Sequence, residues 1–167
     1  MQGLDRDNLR PIDVWKALDD ATRQLAAQSM YEGGGSSRDE ADLAICQALR
    51  FRESAVRKLP VQRRVAYLLK QVPMDDGMVS SLLISLHTKH RSEILSGLLD
   101  ELGIPHEEGL IDDEYEMTAP PAEKLAEACT NLYGRFPHEY VQTYLASLLA
   151  MDRETWGGVA PHLDPPA

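Results

Sequence analysis

Three residues along one predicted helix carry side chains that commonly bind transition metals. His87, His90 and Glu93 follow one another at steps of three residues. On an α-helix these steps keep the side chains within an arc of about 120°, and imidazole and carboxylate are ordinary ligands of zinc and iron. The spacing does not match His-Glu-x-x-His, and no glutamate has a histidine three residues later, as di-iron helical bundles require. We therefore expect a polar turn and no cofactor here, with these three residues as the metal candidates.

A second polar group surrounds a predicted turn near residue 136. Its members are aromatic phenols and one imidazole: Tyr133, His138, Tyr140 and Tyr144. Such groups can orient a small ligand between helices. Amphipathic packing, with hydroxyls reaching solvent at the end of a helical hairpin, is the commoner use of tyrosine. We expect packing and keep a ligand pocket as the alternative.

The chain lacks the sequence signatures of the common catalytic sites. Gly33-Gly34-Gly35 is followed by no Lys-Ser or Lys-Thr pair, so it is not a phosphate-binding loop. No Gly-x-Ser-x-Gly motif occurs, and neither Cys46 nor Cys129 has a histidine close in sequence. The sequence therefore predicts a non-catalytic protein.

Length and composition are those of an ordinary globular domain. The chain has 167 residues, 43% hydrophobic and 26% charged, and a chain of this size buries roughly 70% of its unfolded surface without needing a metal or disulfide. Two cysteines far apart in sequence, with no recognisable signal peptide, predict reduced thiols and a cytoplasmic location. No apolar run approaches the roughly 20 residues of a membrane span.

Charge is distributed unevenly along the chain. The formal net charge is −10, which argues against general affinity for nucleic acid, because such binding depends on Lys and Arg contacts to phosphates. Residues 49–70 nevertheless hold seven basic residues and one acidic residue, and residues 100–127 hold ten acidic residues and one basic residue. The two segments are interpreted either as two solvated helix faces or as surfaces that attract each other, within one chain or across a dimer.

The elements that must position these residues are predicted to be helices. Residues 78–102 and 120–151 both have the pattern of an apolar-faced helix, a polar turn and a second apolar-faced helix, and a shift of 46 residues aligns Leu83 with Cys129 and Leu99 with Leu145. Repeats of this kind indicate stacked helical hairpins. We predict an all-α bundle in which a long helix from Ser37 to Leu59 crosses the two hairpins. No segment alternates at the period of a strand.

The predicted organisation has four parts. Residues 1–32 form an N-terminal helical arm, 33–36 a glycine-rich hinge, 37–152 the helical body and 153–167 an extended tail. Because an isolated helix with a narrow apolar stripe is marginal in water, the arm should dock through Trp15, Leu18 and Leu25. Exchange of an element across a flexible hinge is a low-cost route to a dimer, so we predict a homodimer in which these three residues contact the partner chain.

The basic segment resembles the start of region 4 of bacterial sigma factors. The resemblance depends on Leu59-Pro60 and Arg63-Arg64 within residues 55–69, and it implies a helix-turn-helix over residues 55–95 that binds DNA through Arg63, Arg64, Lys89 and Arg91. Glu93 and two further acidic residues follow on the helix that would enter the groove, and they repel phosphates. We therefore expect no DNA binding at physiological salt.

Taken together, these patterns predict a non-catalytic helical interaction or scaffold module that associates with itself. The first alternative is a helical bundle that binds a small ligand or a metal through the turn histidines and tyrosines. The second is a helix-turn-helix DNA-binding regulator that uses segment 55–95.

Overall fold

A computed structural model describes residues 3–32, 35–112 and 114–166 of the chain. The described residues are mostly helical, and the predicted all-α class is confirmed. The elements in chain order are α1 (Pro11–Ala17), α2 (Asp20–Glu32), α3 (Ser36–Leu49), α4 (Glu53–Arg57), α5 (Val61–Gln71), α6 (Asp76–His90), α7 (Ser92–Leu102), β1 (His106–Glu107), β2 (Leu110–Ile111), α8 (Ala122–Arg135), α9 (His138–Met151), α10 (Arg153–Trp156) and a 3-10 helix (Gly157–His162).

The chain divides into two compact units. Unit 1 comprises Met1–Ala17 and Arg91–Ala167, and unit 2 comprises Leu18–His90. This division does not follow the boundaries that the sequence suggested, because the predicted arm is shared between the units: α1 packs against α9 in unit 1, and α2 packs against α5 and α6 in unit 2. Gly33 and Gly34 of the predicted hinge lie outside the described residues.

The predicted arm helix is interrupted before residue 20. Asp19 Oδ1 accepts a hydrogen bond from the Thr22 backbone N–H at 2.7 Å. A side-chain oxygen in this position satisfies one of the free N–H groups at the start of a helix. The cap begins a new helix, so α1 and α2 are separate elements.

The predicted long helix from Ser37 to Leu59 is also wrong. α3 ends at Leu49, and Arg50 has a left-handed backbone with φ of 54°. The N–H groups of Arg50 and Phe51 both donate to the Cys46 carbonyl, the latter at 3.2 Å, a helix end of the Schellman type. The short α4 begins after Arg52, and the helix α5 begins after Pro60.

The C-terminal segment is folded, whereas an extended tail was predicted. Asp152 Oδ1 accepts from the Thr155 N–H at 3.1 Å and starts α10, and the 3-10 helix follows directly. Trp156 and Val159 are buried. The 3-10 helix packs against α8 and α9, so residues 153–163 belong to the core of unit 1.

A short β-hairpin lies between α7 and α8, where no strand was predicted. β1 pairs with β2 in an antiparallel register that places Glu107 opposite Leu110. The two turn residues both have positive φ, 51° at Glu108 and 86° at Gly109, as the favoured two-residue hairpin turns require. A Cβ on Gly109 would lie 2.6 Å from the Leu95 Cβ, so only glycine lets the turn approach α7 this closely.

The apolar periodicity of residues 78–102 and 120–151 predicts seven core leucines, and the structure buries all but one of them. Leu148 is half-buried, and its neighbour Leu149 is fully buried. The internal repeat stays a prediction: α6 and α7 are separated by Arg91 and fall in different units. The predicted core leucines that are buried are Leu83, Leu86, Leu95, Leu98, Leu99 and Leu145.

Candidate functional site

The metal candidates do not share one helix. α6 ends at His90, and Glu93 lies on α7 and is exposed. His87 is buried, and His90 Nε2 lies 2.8 Å from Glu32 Oε2. Within residues 3–32, 35–112 and 114–166, no group of three His, Cys, Asp or Glu side chains is placed to hold a metal ion. His87, His90 and Glu93 therefore do not lie on one face of a single helix, as the metal hypothesis required.

The tyrosines of the second candidate group each have a structural role. The Tyr133 hydroxyl donates to the carbonyls of His162 and Leu163, at 3.1 and 2.9 Å, and so fixes the C-terminal segment. The His138 ring packs edge-on against Tyr133, with 5.5 Å between the ring centroids. Tyr144 is buried, and its burial raises the pKa of the phenol above its usual range.

Tyr140 is the exposed tyrosine of this group. Its ring lies 4.1 Å from the guanidinium carbon of Arg91, within the range of a cation–π contact. Arg91 itself is buried. Packing therefore accounts for Tyr133, His138, Tyr140 and Tyr144, and a ligand pocket built from them gains no support from the geometry.

The residues predicted to contact a partner lie mostly inside the chain. Trp15 is 6% exposed and Leu18 is 7% exposed, and Leu25 is half-buried. Contact with a second chain through Trp15 and Leu18 would require both to leave the core. This arm is consequently not a free docking element, and the predicted contact surface must be corrected.

The basic residues of the predicted helix-turn-helix are also divided between surface and interior. Arg63 and Lys89 are exposed, whereas Arg64 and Arg91 are buried. A buried guanidinium cannot reach a phosphate. Two of the four predicted DNA contacts are thus removed.

Arg64 belongs to a buried polar cluster that joins three helices of unit 2. Its Nη1 donates to Asp42 Oδ2 at 2.8 Å, and its guanidinium carbon lies 4.9 Å from the centroid of the Tyr31 ring. Burial and the nearby Asp42 carboxylate raise the pKa of Tyr31 well above its usual range. Since the cluster connects α2, α3 and α5 in the interior, its role is to fix their relative positions.

A basic aromatic surface lies on unit 2, where the α3–α4 connection meets α5. Phe51 is 43% exposed and packs edge-on against Tyr67, with 6.1 Å between the ring centroids. Arg63 Nε donates to the Tyr67 hydroxyl at 3.2 Å, and its guanidinium carbon lies 5.7 Å from the ring centroid. We call this region the basic surface and define it by Arg50, Phe51, Arg52, Arg63, Tyr67 and Lys70.

The charges of the basic surface are not neutralised by carboxylates. Arg50, Arg52, Arg63 and Lys70 are all exposed, and none forms a salt bridge with an acidic residue in the described part of the chain. Arg57 nearby differs, because it lies 3.2 Å from Asp39 and 2.5 Å from Glu53. The basic surface therefore combines four unpaired positive charges with partly exposed aromatic rings.

An acidic surface lies on unit 1, along the β-hairpin and the segment after it. Leu110 is 59% exposed and Tyr115 is 39% exposed, and an open groove of about 810 Å³ runs along the hairpin. We call this region the acidic hairpin and define it by five exposed acids and two exposed apolar residues: Glu107, Glu108, Leu110, Asp112, Glu114, Tyr115 and Glu116.

The hairpin is held in one orientation by unit 1. His106 Nδ1 accepts from the Gly109 N–H at 3.1 Å, and His106 Nε2 lies 3.1 Å from Asp100 Oδ1. Opposite residues of an antiparallel pair point to the same face. Thus the more buried pair, His106 and Ile111, faces the unit, and the exposed pair, Glu107 and Leu110, faces solvent.

Comparison with known proteins gave no match: no family model, no curated protein sequence and no solved structure matches this chain. Among the described helices, none has the length and apolar character needed to cross a membrane.

Proposed function

We propose that this protein is a non-catalytic interaction module that associates with itself. The observation that carries the proposal is the presence, on one chain, of two exposed surfaces of opposite charge, each with large apolar side chains at the surface. Apolar residues surrounded by charge mark sites of protein association more often than isolated surface leucines do. Charge complementarity directs such encounters and fixes their register.

This proposal keeps the predicted self-association and changes the surface. Trp15 and Leu18 are core residues of the single chain, so the contact is assigned to residues that are exposed. Phe51 and Leu110 are the most exposed apolar side chains of the two charged surfaces, at 43% and 59% exposure.

Sedimentation velocity of the full chain tests the proposal. The chain has a mass of 18.6 kDa, and we expect species of at least twice this mass at micromolar protein and low salt. Because contacts between exposed charges are screened as the Debye length falls from about 10 Å at 0.1 M salt to about 3 Å at 1 M, the proportion of these species should fall as salt is added. A monomer under all of these conditions would contradict the proposal.

A further inference from the structure

We propose that the acidic hairpin of one copy docks on the basic surface of a second copy. This inference rests on the proposed function, because it names the two surfaces through which the chain would associate. It pairs two different surfaces, so each copy offers both halves of the contact.

Charge complementarity is the first argument. The basic surface carries four exposed basic groups with no salt-bridge partner among the described residues, and the acidic hairpin carries five exposed carboxylates. A surface with this excess of positive charge on a chain of net charge −10 attracts an acidic protein segment. Duplex nucleic acid fits the surface less well, because its phosphate backbone has no apolar side chain to cover Phe51, whereas the acidic hairpin offers Leu110 and Tyr115.

Apolar complementarity is the second argument. Leu110 and Tyr115 protrude among the carboxylates, and Phe51 lies between two arginines in sequence with its ring against Tyr67. Aromatic residues and arginine are enriched at the energetic centres of interfaces. Docking would remove these side chains from water while bringing the opposite charges around them together.

Pre-organisation is the third argument. The close approach of Gly109 to Leu95 and the bonds of His106 hold the hairpin against α7. On the other surface, the Schellman motif at Arg50 places Phe51 directly after a helix end. Arg50 has the left-handed backbone conformation, which glycine adopts with less steric strain. Two ordered surfaces lose less conformational entropy on binding than flexible ones.

A charge-swap experiment tests the inference with the full chain. Arg52→Glu/Arg63→Glu lowers the formal charge of the basic surface from +4 to 0, and Glu107→Lys/Glu116→Lys changes that of the acidic hairpin from −5 to −1. By sedimentation velocity at low salt, each variant alone should associate at least tenfold more weakly than the wild type. In an equimolar mixture the unaltered acidic hairpin of the first variant can dock on the unaltered basic surface of the second, so a species of twice the monomer mass should return.

Matched controls separate a local contact from total charge. Arg38→Glu/Lys89→Glu and Glu123→Lys/Glu127→Lys change net charge by the same amounts at exposed residues outside both surfaces, and each should associate as the wild type does. Circular dichroism checks that every variant is helical.

The possible failures are distinguishable. If the wild type associates but the surface variants associate equally well, or if their mixture stays monomeric, the pairing is wrong while self-association stands. If the wild type is monomeric, self-association itself is wrong.

Discussion

Arg64 and Asp42 form an ion pair in the interior of unit 2, where water cannot reach either charge. Arg64 Nη1 and Asp42 Oδ2 are 2.8 Å apart, and the two residues are 3% and 1% exposed. Among the residues that the structure describes, Arg64 Nε and Asp42 Oδ1 have no hydrogen-bond partner. Polar atoms buried in this way carry a desolvation cost that their remaining contacts must offset.

Arg64→Met is expected to destabilise the chain strongly. The substitution leaves the Asp42 carboxylate buried without its partner, and breaking a buried ion pair by removing one member costs about 3–5 kcal/mol. Urea unfolding followed by circular dichroism measures the free energy of unfolding. The control is Arg63→Met on the same helix: Arg63 is exposed, so the change should stay within about 0.5 kcal/mol.

The double variant Arg64→Met/Asp42→Leu separates the pair from the residues themselves. Replacement of both charges by apolar side chains is often neutral or stabilising, so the double variant should be more stable than Arg64→Met alone. A double variant much less stable than the wild type would show that the ion pair is a net source of stability.

Gly109→Ala is expected to release the β-hairpin from α7. The new Cβ would lie 2.6 Å from the Leu95 Cβ, on a residue with φ of 86°, and an L-residue in the left-handed region costs about 1–2 kcal/mol before any clash. Hydrogen exchange of the Gly109 amide, bonded to His106 in the structure, should become faster, and stability should fall by more than about 1 kcal/mol.

Gly134→Ala is the matched control for this glycine. Gly134 lies in α8, and a Cβ there meets no atom within 4 Å. Alanine should leave stability unchanged or raise it by up to about 1 kcal/mol, because glycine is unfavourable in helices. Equal effects of the two substitutions would contradict the assigned contact between the turn and α7.

The helices and most of the core could be predicted because apolar periodicity reports local structure directly. The same pattern also indicated a buried charge, which the sequence predictions did not include. Arg64 lies between Val61 and Leu68 on the apolar stripe of α5. Asp42 lies on the buried face of α3 between Ala41 and Ile45. Periodicity could not show which carboxylate would meet which guanidinium, since that depends on tertiary packing.

The breaks in the helices were harder to predict for a different reason. No proline or glycine marks the end of α3, because the left-handed residue is Arg50. The β-hairpin had a weak signal in Glu108-Gly109, but its strands have two residues each, too short for alternation to be visible. The charged segments could be read from composition, whereas the exposure of Phe51 and Leu110 required coordinates.

The buried thiol of Cys129 predicts a loss of stability in alkali. Burial raises the pKa of this thiol to about 12 from 9.0. Because the folded state holds the proton more tightly, the stabilisation is complete below pH 9 and is lost as pH rises towards 12. Between pH 9 and 10 the wild type should lose about 1 kcal/mol through this group, a loss that Cys129→Ala should not show.

This measurement uses urea unfolding at several pH values in the presence of a reductant. The quantity compared is the change in the free energy of unfolding between pH 9 and 10. This comparison cancels the pH-independent loss of stability that the smaller alanine side chain causes. Cys46→Ala is the control, because Cys46 is only half-buried. Parallel curves for the wild type and Cys129→Ala would show that the thiolate is tolerated in the folded chain.

The last prediction concerns DNA. Of the four basic residues that a helix-turn-helix over 55–95 would use, Arg64 and Arg91 are buried, and Arg63 is hydrogen-bonded to Tyr67. With a net charge of −10, the chain should show no saturable binding to duplex DNA at about 150 mM salt. The Debye length at this salt concentration is about 8 Å, so contacts between exposed charges are screened. Fluorescence anisotropy of labelled duplexes measures this, with Arg63→Glu and Lys89→Glu as comparison variants. A sequence-selective complex that Arg63→Glu weakens more than Lys89→Glu does, and that salt weakens steeply, would assign the basic surface to nucleic acid and replace the acidic hairpin as its partner.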